Sequence, residues 1–179
     1  YGVTTGILPW NFPFFLIARK AAPALLTGNT IVLKPSQLTP INAHIFAEIC
    51  QEVGLPKGVL NIIHGRGSVV GNRLASHTKV GLVSLTGSLA AGQEVMKAAA
   101  DNITNVSLEL GGKAPAIVFE DADLELAAKA IVASRVINSG QVCNCAERVY
   151  VHESIKEKFE EALFNELDKV KFGDPNKER

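Results

Sequence analysis

Five short β-branched runs separated by four stretches of helical periodicity fill residues 1–110, and this alternation constrains the fold more than any other feature. The runs lie near Val3–Leu8, Thr30–Lys34, Val59–Ile63, Val80–Leu85 and Val106–Leu110, with helical patterns near Pro13–Leu26, Pro40–Val53, Val69–Ala75 and Ala90–Ala100. Parallel strands need long crossovers, and helices between strands supply them. The reading is therefore a doubly wound parallel α/β sheet. Thr39 precedes Pro40 as an N-cap precedes a first-turn proline, and Gly54 stands where a left-handed C-cap residue belongs.

The pattern restarts after Gly111-Gly112. Pro115–Phe119 reads as a strand, Leu124–Ile137 as a helix opened by Asp121 or Asp123, Asn138-Ser139-Gly140 as a turn and Arg148–Val151 as a strand. Ser154 and Glu157 have capping-box spacing ahead of the stripe Ile155, Phe159, Leu163, Leu167, which predicts a final amphipathic helix. The expected organisation is one domain over 1–111 and the start of a second α/β domain over 112–179.

Lys and Arg number 18 against 18 Asp and Glu, so no charge imbalance asks for nucleic acid or an anionic membrane. The longest apolar stretch, Phe12–Ala18, ends at Arg19-Lys20, far short of a bilayer span. Cys50, Cys143 and Cys145 are odd in number and lack C-x-x-C spacing, which points to a reducing, cytoplasmic setting with at least one free thiol and no structural metal. The opening Tyr1-Gly2-Val3 and the charged end suggest cuts in something longer.

In open α/β sheets ligands bind beyond the carboxyl ends of the strands, so the residues just after each strand are the ones to examine. Pro13 stiffens the turn that carries Asn11, whose amide can donate to a developing oxyanion or merely satisfy its own turn. Gly65-Arg66-Gly67-Ser68-Val69-Val70-Gly71 and Thr86-Gly87-Ser88 each join a strand to a helix; each fits a phosphate loop and an ordinary capped loop equally well. Period-2 alternation puts Val106, Leu108 and Leu110 on one face and Glu109 on the other, as a general base or a solvated edge charge. Cys143 follows a polar, glycine-containing turn where a thiol can be reachable, whereas Cys50 reads as packed and Cys145 as packed or, as the less favoured alternative, a resolving thiol. The four histidines are scattered, which disfavours a cysteine hydrolase with a histidine base.

Pro9-Trp10-Asn11-Phe12-Pro13, Leu33-Lys34-Pro35-Ser36, Leu85-Thr86-Gly87-Ser88, Leu108-Glu109-Leu110-Gly111-Gly112-Lys113 and Gly140-Gln141-Val142-Cys143 stand in one order along the whole chain. In that order and spacing they resemble the NAD(P)-dependent aldehyde dehydrogenase superfamily. The wording from Ser134 to Arg148 is similar to its lactaldehyde and glycolaldehyde dehydrogenase branch. The resemblance implies a Rossmann-like domain followed by the start of a catalytic domain, and oxidation of a small aldehyde to its carboxylic acid. It implies Cys143 as the nucleophile that forms a hemithioacetal and then a thioester, Asn11 and the Cys143 backbone N–H as the oxyanion hole, and Glu109 as the base for the hydrolytic water. It implies cofactor contacts at Trp10, Lys34, Gln37, Gly67, Gly71, Gly87 and Ser88, with Lys34 on the adenosine ribose and Ser88 on the pyrophosphate.

Gln37 departs from the glutamate usual at that position in NAD-preferring members, and a neutral amide would not repel a 2′-phosphate. NAD with tolerance of NADP is the expectation. Resemblance also implies a homo-oligomer, dimer or tetramer, for the full-length protein. Two other readings are a non-catalytic nucleotide-binding relative, disfavoured by the presence of both Cys143 and Glu109, and a CoA-acylating member, disfavoured by Glu109 as a base for water.

Overall fold

A computed structural model describes residues 1–174, 176 and 177. The chain divides into two compact units, Tyr1–Gly111 and Gly112–Arg179.

In the first unit five strands form one parallel sheet: β1 (Val3–Ile7), β2 (Thr30–Lys34), β3 (Leu60–Ile62), β4 (Val80–Thr86) and β5 (Asn105–Glu109), in the order β3-β2-β1-β4-β5. The order reverses at β1, which places α1 (Pro13–Leu26) and α2 (Ile41–Glu52) on one face and α3 (Asn72–Ala75) and α4 (Leu89–Ala100) on the other. This is the doubly wound architecture expected from the strand-helix rhythm. Each face has its own core. Leu16, Ile17 and Ala21 of α1 close over Ile31, Leu33 and Ala43, while Val95 of α4 packs with Ile7, Ala75, Val80, Val83 and Leu85.

Two close approaches explain local choices along the sheet. At Gly6 a Cβ would stand 2.7 Å from Leu33 Cδ2 and 3.2 Å from Lys20 Cδ, so the central strand carries glycine where the Lys20 stem crosses it. At Gly81 a Cβ would meet the Tyr1 carbonyl at 2.4 Å, beside the irregularity in β1–β4 register between Val3 and Thr4.

Three local expectations are corrected. The helix expected over Val69–Ala75 splits into a π-helical turn at Gly67–Gly71 and the short α3. Glycines at both ends permit the wider turn, and the loop folds back so tightly that a Cβ on Gly65 would lie 2.5 Å from Val70 Cγ2. Thr39 does not cap α2: the cap position falls on Pro40, and Thr39 Oγ1 is buried without a hydrogen-bond partner. Gly54 does end α2, at φ +78°, with its N–H on the Gln51 carbonyl and the Leu55 N–H on the Cys50 carbonyl, a Schellman motif.

The second unit pairs β6 (Pro115–Val118) with β7 (Arg148–Val151) in parallel, joined through α5 (Leu124–Val136) and a 3₁₀ turn at Ile137–Gly140, and ends in α6 (Lys156–Leu167). Asp123 caps α5 by accepting the Leu126 N–H. The capping box of Ser154 and Glu157 is the third correction. His152 Nδ1 takes the Ser154 N–H instead, because a 3₁₀ turn at Glu153–Ile155 moves the start of α6 past Ser154. Val118, Ala128 and Phe159 form the buried centre of this unit. Among the described residues no helix is long and apolar enough to cross a membrane.

Candidate active site

The residues singled out in the first unit stand along one edge of its sheet, at the carboxyl ends of the strands. Trp10 and Asn11 follow β1; Lys34 ends β2 and Gln37 follows it; Gly67 and Gly71 follow β3; Gly87 and Ser88 follow β4; Glu109 ends β5. The Gly87 N–H donates to the Glu109 carbonyl at 3.0 Å, which ties two of these loops together.

Lys34 is buried at the end of β2, and its Nζ donates to the Pro35 carbonyl at 2.8 Å and the Gly65 carbonyl at 3.2 Å. Burial lowers its pKa from the ordinary lysine value. The lysine thereby joins the β2 loop to the glycine loop after β3. Gln37 is exposed on the turn beyond it.

Of the loop glycines, Gly65 is explained by packing, whereas a Cβ on Gly67 would meet nothing within 4 Å and those on Gly71 and Gly87 only ordinary contacts. The chain itself does not require glycine at the latter three. Ser88 Oγ accepts the Ala91 N–H at 3.2 Å, so its hydroxyl caps α4, and that helix presents its N-terminal N–H groups at the carboxyl end of β4. A dinucleotide fits these features. Lys34 supplies a buried ammonium at the end of β2, and the first turn of α4 supplies backbone donors beyond the end of β4.

Glu109 points to the α1 face, opposite Val106 and Leu108, as alternation along β5 requires. There it borders a cleft of about 310 Å³, shared with Arg19, Lys20, Ser84, Thr86 and Ser107. Arg19 Nη2 approaches Glu109 Oε1 at 3.6 Å. Lys20 was missed in the sequence. It is 7% exposed, donates from Nζ to Ser84 Oγ at 2.7 Å, and has its pKa pushed down to about 8 by burial, with the Glu109 charge opposing and Arg19 assisting that shift. Its signal was its place on the α1 stripe with Leu16, Ile17 and Ala21.

In the second unit Cys143 is exposed, between the 3₁₀ turn and β7, and Cys145 is buried. Cys50 in α2 is only partly buried, and burial raises its thiol pKa. Lys113 and, after it, Arg135 hold the Glu147 carboxyl below the usual range. His44 and His64 are not scattered in space: their rings stack with centroids 5.0 Å apart. Among the described residues no group of three or more His, Cys, Asp or Glu side chains could hold a metal ion.

The family model described as aldehyde dehydrogenase matches residues 1–179. The chain belongs to the aldehyde dehydrogenase family. Over 97% of its length it is 67% identical to lactaldehyde dehydrogenase of Escherichia coli strain K12, covering 36% of that protein. A crystal structure of lactaldehyde dehydrogenase from Escherichia coli superimposes with a TM-score of 0.93 at 66% identity, over 99% of this chain and 37% of that one. D-glyceraldehyde dehydrogenase (NADP(+)) of Picrophilus torridus is 46% identical over 98% of the chain, again covering 36% of the relative. This aldehyde dehydrogenase chain thus spans about a third of the length of the curated relatives it matches.

Proposed function

We propose that the protein containing this chain oxidises a small aldehyde of the lactaldehyde or glycolaldehyde kind to its carboxylic acid, using NAD or NADP. The observation that carries the reading is the line of Asn11, Lys34, Ser88 and Glu109 along the carboxyl edge of one parallel sheet, in a chain that also exposes Cys143. The 67% identity to a lactaldehyde dehydrogenase supports the substrate class. A relative named for NADP(+) and the exposed amide of Gln37 support tolerance of the 2′-phosphate.

In this reading Tyr1–Gly111 is the dinucleotide-binding unit and the residues from Gly112 begin the catalytic unit. Lys34 donates to the adenosine ribose, Gly87 and Ser88 lie at the pyrophosphate, and Trp10, Gly67 and Gly71 border the cofactor. When bound, the nicotinamide supplies the hydride acceptor. Cys143 attacks the carbonyl carbon as thiolate, because sulfur is the strong nucleophile available at neutral pH. The Asn11 amide and the Cys143 backbone N–H stabilise the oxyanion, which exists only after attack and so rewards the transition state rather than the substrate. Loss of hydride leaves a thioester on Cys143. Glu109 then takes a proton from water, which adds to the thioester and releases the carboxylic acid and the thiolate. Lys20 keeps a cation close to Glu109 on the protein side of the cleft.

Rapid mixing of the intact protein with NAD and lactaldehyde, followed by absorbance of reduced nicotinamide, tests this reading. A burst and then slower turnover are expected. Cys143→Ala should give neither phase, and Glu109→Gln should keep the burst while steady turnover falls about 100-fold or more. A Cys143→Ala protein that reduces NAD at the unmodified rate would contradict it.

A further inference from the structure

The loop that presents Cys143 is tied at its entry and its exit to one guanidinium. Arg135, in the last turn of α5, donates from Nη1 to Cys145 Sγ at 2.9 Å and to Glu147 Oε2 at 3.1 Å. The same group lies against Gly140, where a Cβ would come within 3.3 Å of Arg135 Cζ and Nη2 and 3.2 Å of the Arg135 carbonyl. Cys145 Sγ donates in turn to the Gly140 carbonyl at 3.4 Å. Glu147 is held from a second side: Lys113 Nζ reaches Oε1 at 2.7 Å, and the Glu147 N–H donates to the Ala114 carbonyl at 2.9 Å.

The backbone entering this loop is strained. Asn138, Ser139 and Gly140 have consecutive positive φ of 47°, 56° and 78°, a conformation that two non-glycine residues hold only when their surroundings impose it. The Arg135 fork is one restraint on this backbone, since it holds Gly140 at one end and the buried Cys145 beyond it.

We propose that Arg135 and Glu147 are positioning residues for Cys143: the fork closes the segment from Gly140 to Glu147 into one conformer and thereby sets how the thiol is presented. The inference rests on Cys143 being the nucleophile. A planar guanidinium can serve thiol, carboxylate and the Gly140 backbone at once, whereas one ammonium offers no such fork.

The test compares Arg135→Gln, Arg135→Lys, Glu147→Gln and the Arg135→Gln/Glu147→Gln double variant of the intact protein, beside Cys143→Ala. Glu147→Gln is isosteric and removes only the charge, so it reports even if Arg135→Gln folds poorly. Each single variant should lower kcat for aldehyde oxidation at least 10-fold while KM for NAD stays within twofold. The double variant should be no slower than the slower single one, since both break one fork. Arg135→Lys should recover only part of the loss, and the pH profile for alkylation of Cys143 by iodoacetamide should change in both Gln variants. Folded Arg135→Gln and Glu147→Gln proteins with kcat within twofold of the unmodified protein and an unchanged alkylation profile would overturn the proposal while leaving the nucleophile in place. An active Cys143→Ala protein would overturn the nucleophile and this inference together.

Discussion

Lys20 is held at a cost to the fold, and the cost depends on pH. Burial lowers its pKa from 10.5 to about 8. Below pH 8 the ammonium is charged in both the folded and unfolded chain, so the full desolvation penalty is present; between 8 and 10.5 the folded state releases the proton first and stability rises with pH. Lys20→Met should therefore stabilise the protein at pH 7 by on the order of 3 kcal/mol, less the lost hydrogen bond to Ser84, and the gain should shrink by pH 10. Urea unfolding at the two pH values measures it, and an equal gain at both would contradict the argument. The sequence displayed Lys20 only as part of a charged stop after an apolar stretch. Its burial depends on Gly6, fourteen residues upstream, leaving room for the stem on the central strand, and that juxtaposition is a tertiary fact. The face that Glu109 takes was legible by contrast, because alternation along a strand is local and needs no partner.

Elements whose ends are set by backbone geometry were read closely, whereas side-chain caps were read in part: Asp123 does cap α5, but Thr39 and Ser154 cap nothing at the expected helix starts. β2, α1 and β7 fall at Thr30–Lys34, Pro13–Leu26 and Arg148–Val151, the spans expected. Gly54 ends α2 at φ +78° for the reason a glycine is placed there, so Gly54→Ala should cost about 1 kcal/mol, read as a lower thermal midpoint. No change in midpoint would show that the α2 terminus shifts to accommodate the side chain. Thr39 and Ser154 failed as caps because capping requires the first helical residue to fall at a fixed offset: α2 starts at Ile41 with Pro40 at the cap position, and a 3₁₀ turn at Glu153–Ile155 precedes α6. The π turn at Gly67–Gly71 escaped notice because a five-residue turn shows no periodicity, and the tight fold-back of Gly65 beside Val70 is a tertiary fact.

On the scale of the whole molecule the sheet order β3-β2-β1-β4-β5 is what gathers distant positions into one line. Strand order is a non-local property, so the glycine loops were ambiguous one by one and became informative only when the sheet put them on the same edge. The chain spans about a third of its curated relatives, and in the function proposed for it its share of the chemistry is the thiol, the amide and the carboxylate. The central claim is that the aldehyde carbon becomes bonded to Cys143. Glu109→Gln protein mixed with NAD and lactaldehyde, quenched in acid and digested, should yield the peptide containing Cys143 heavier by one lactoyl group, with Cys50 and Cys145 unmodified. Reduced nicotinamide formed without that adduct, or an adduct on another cysteine, would contradict the account.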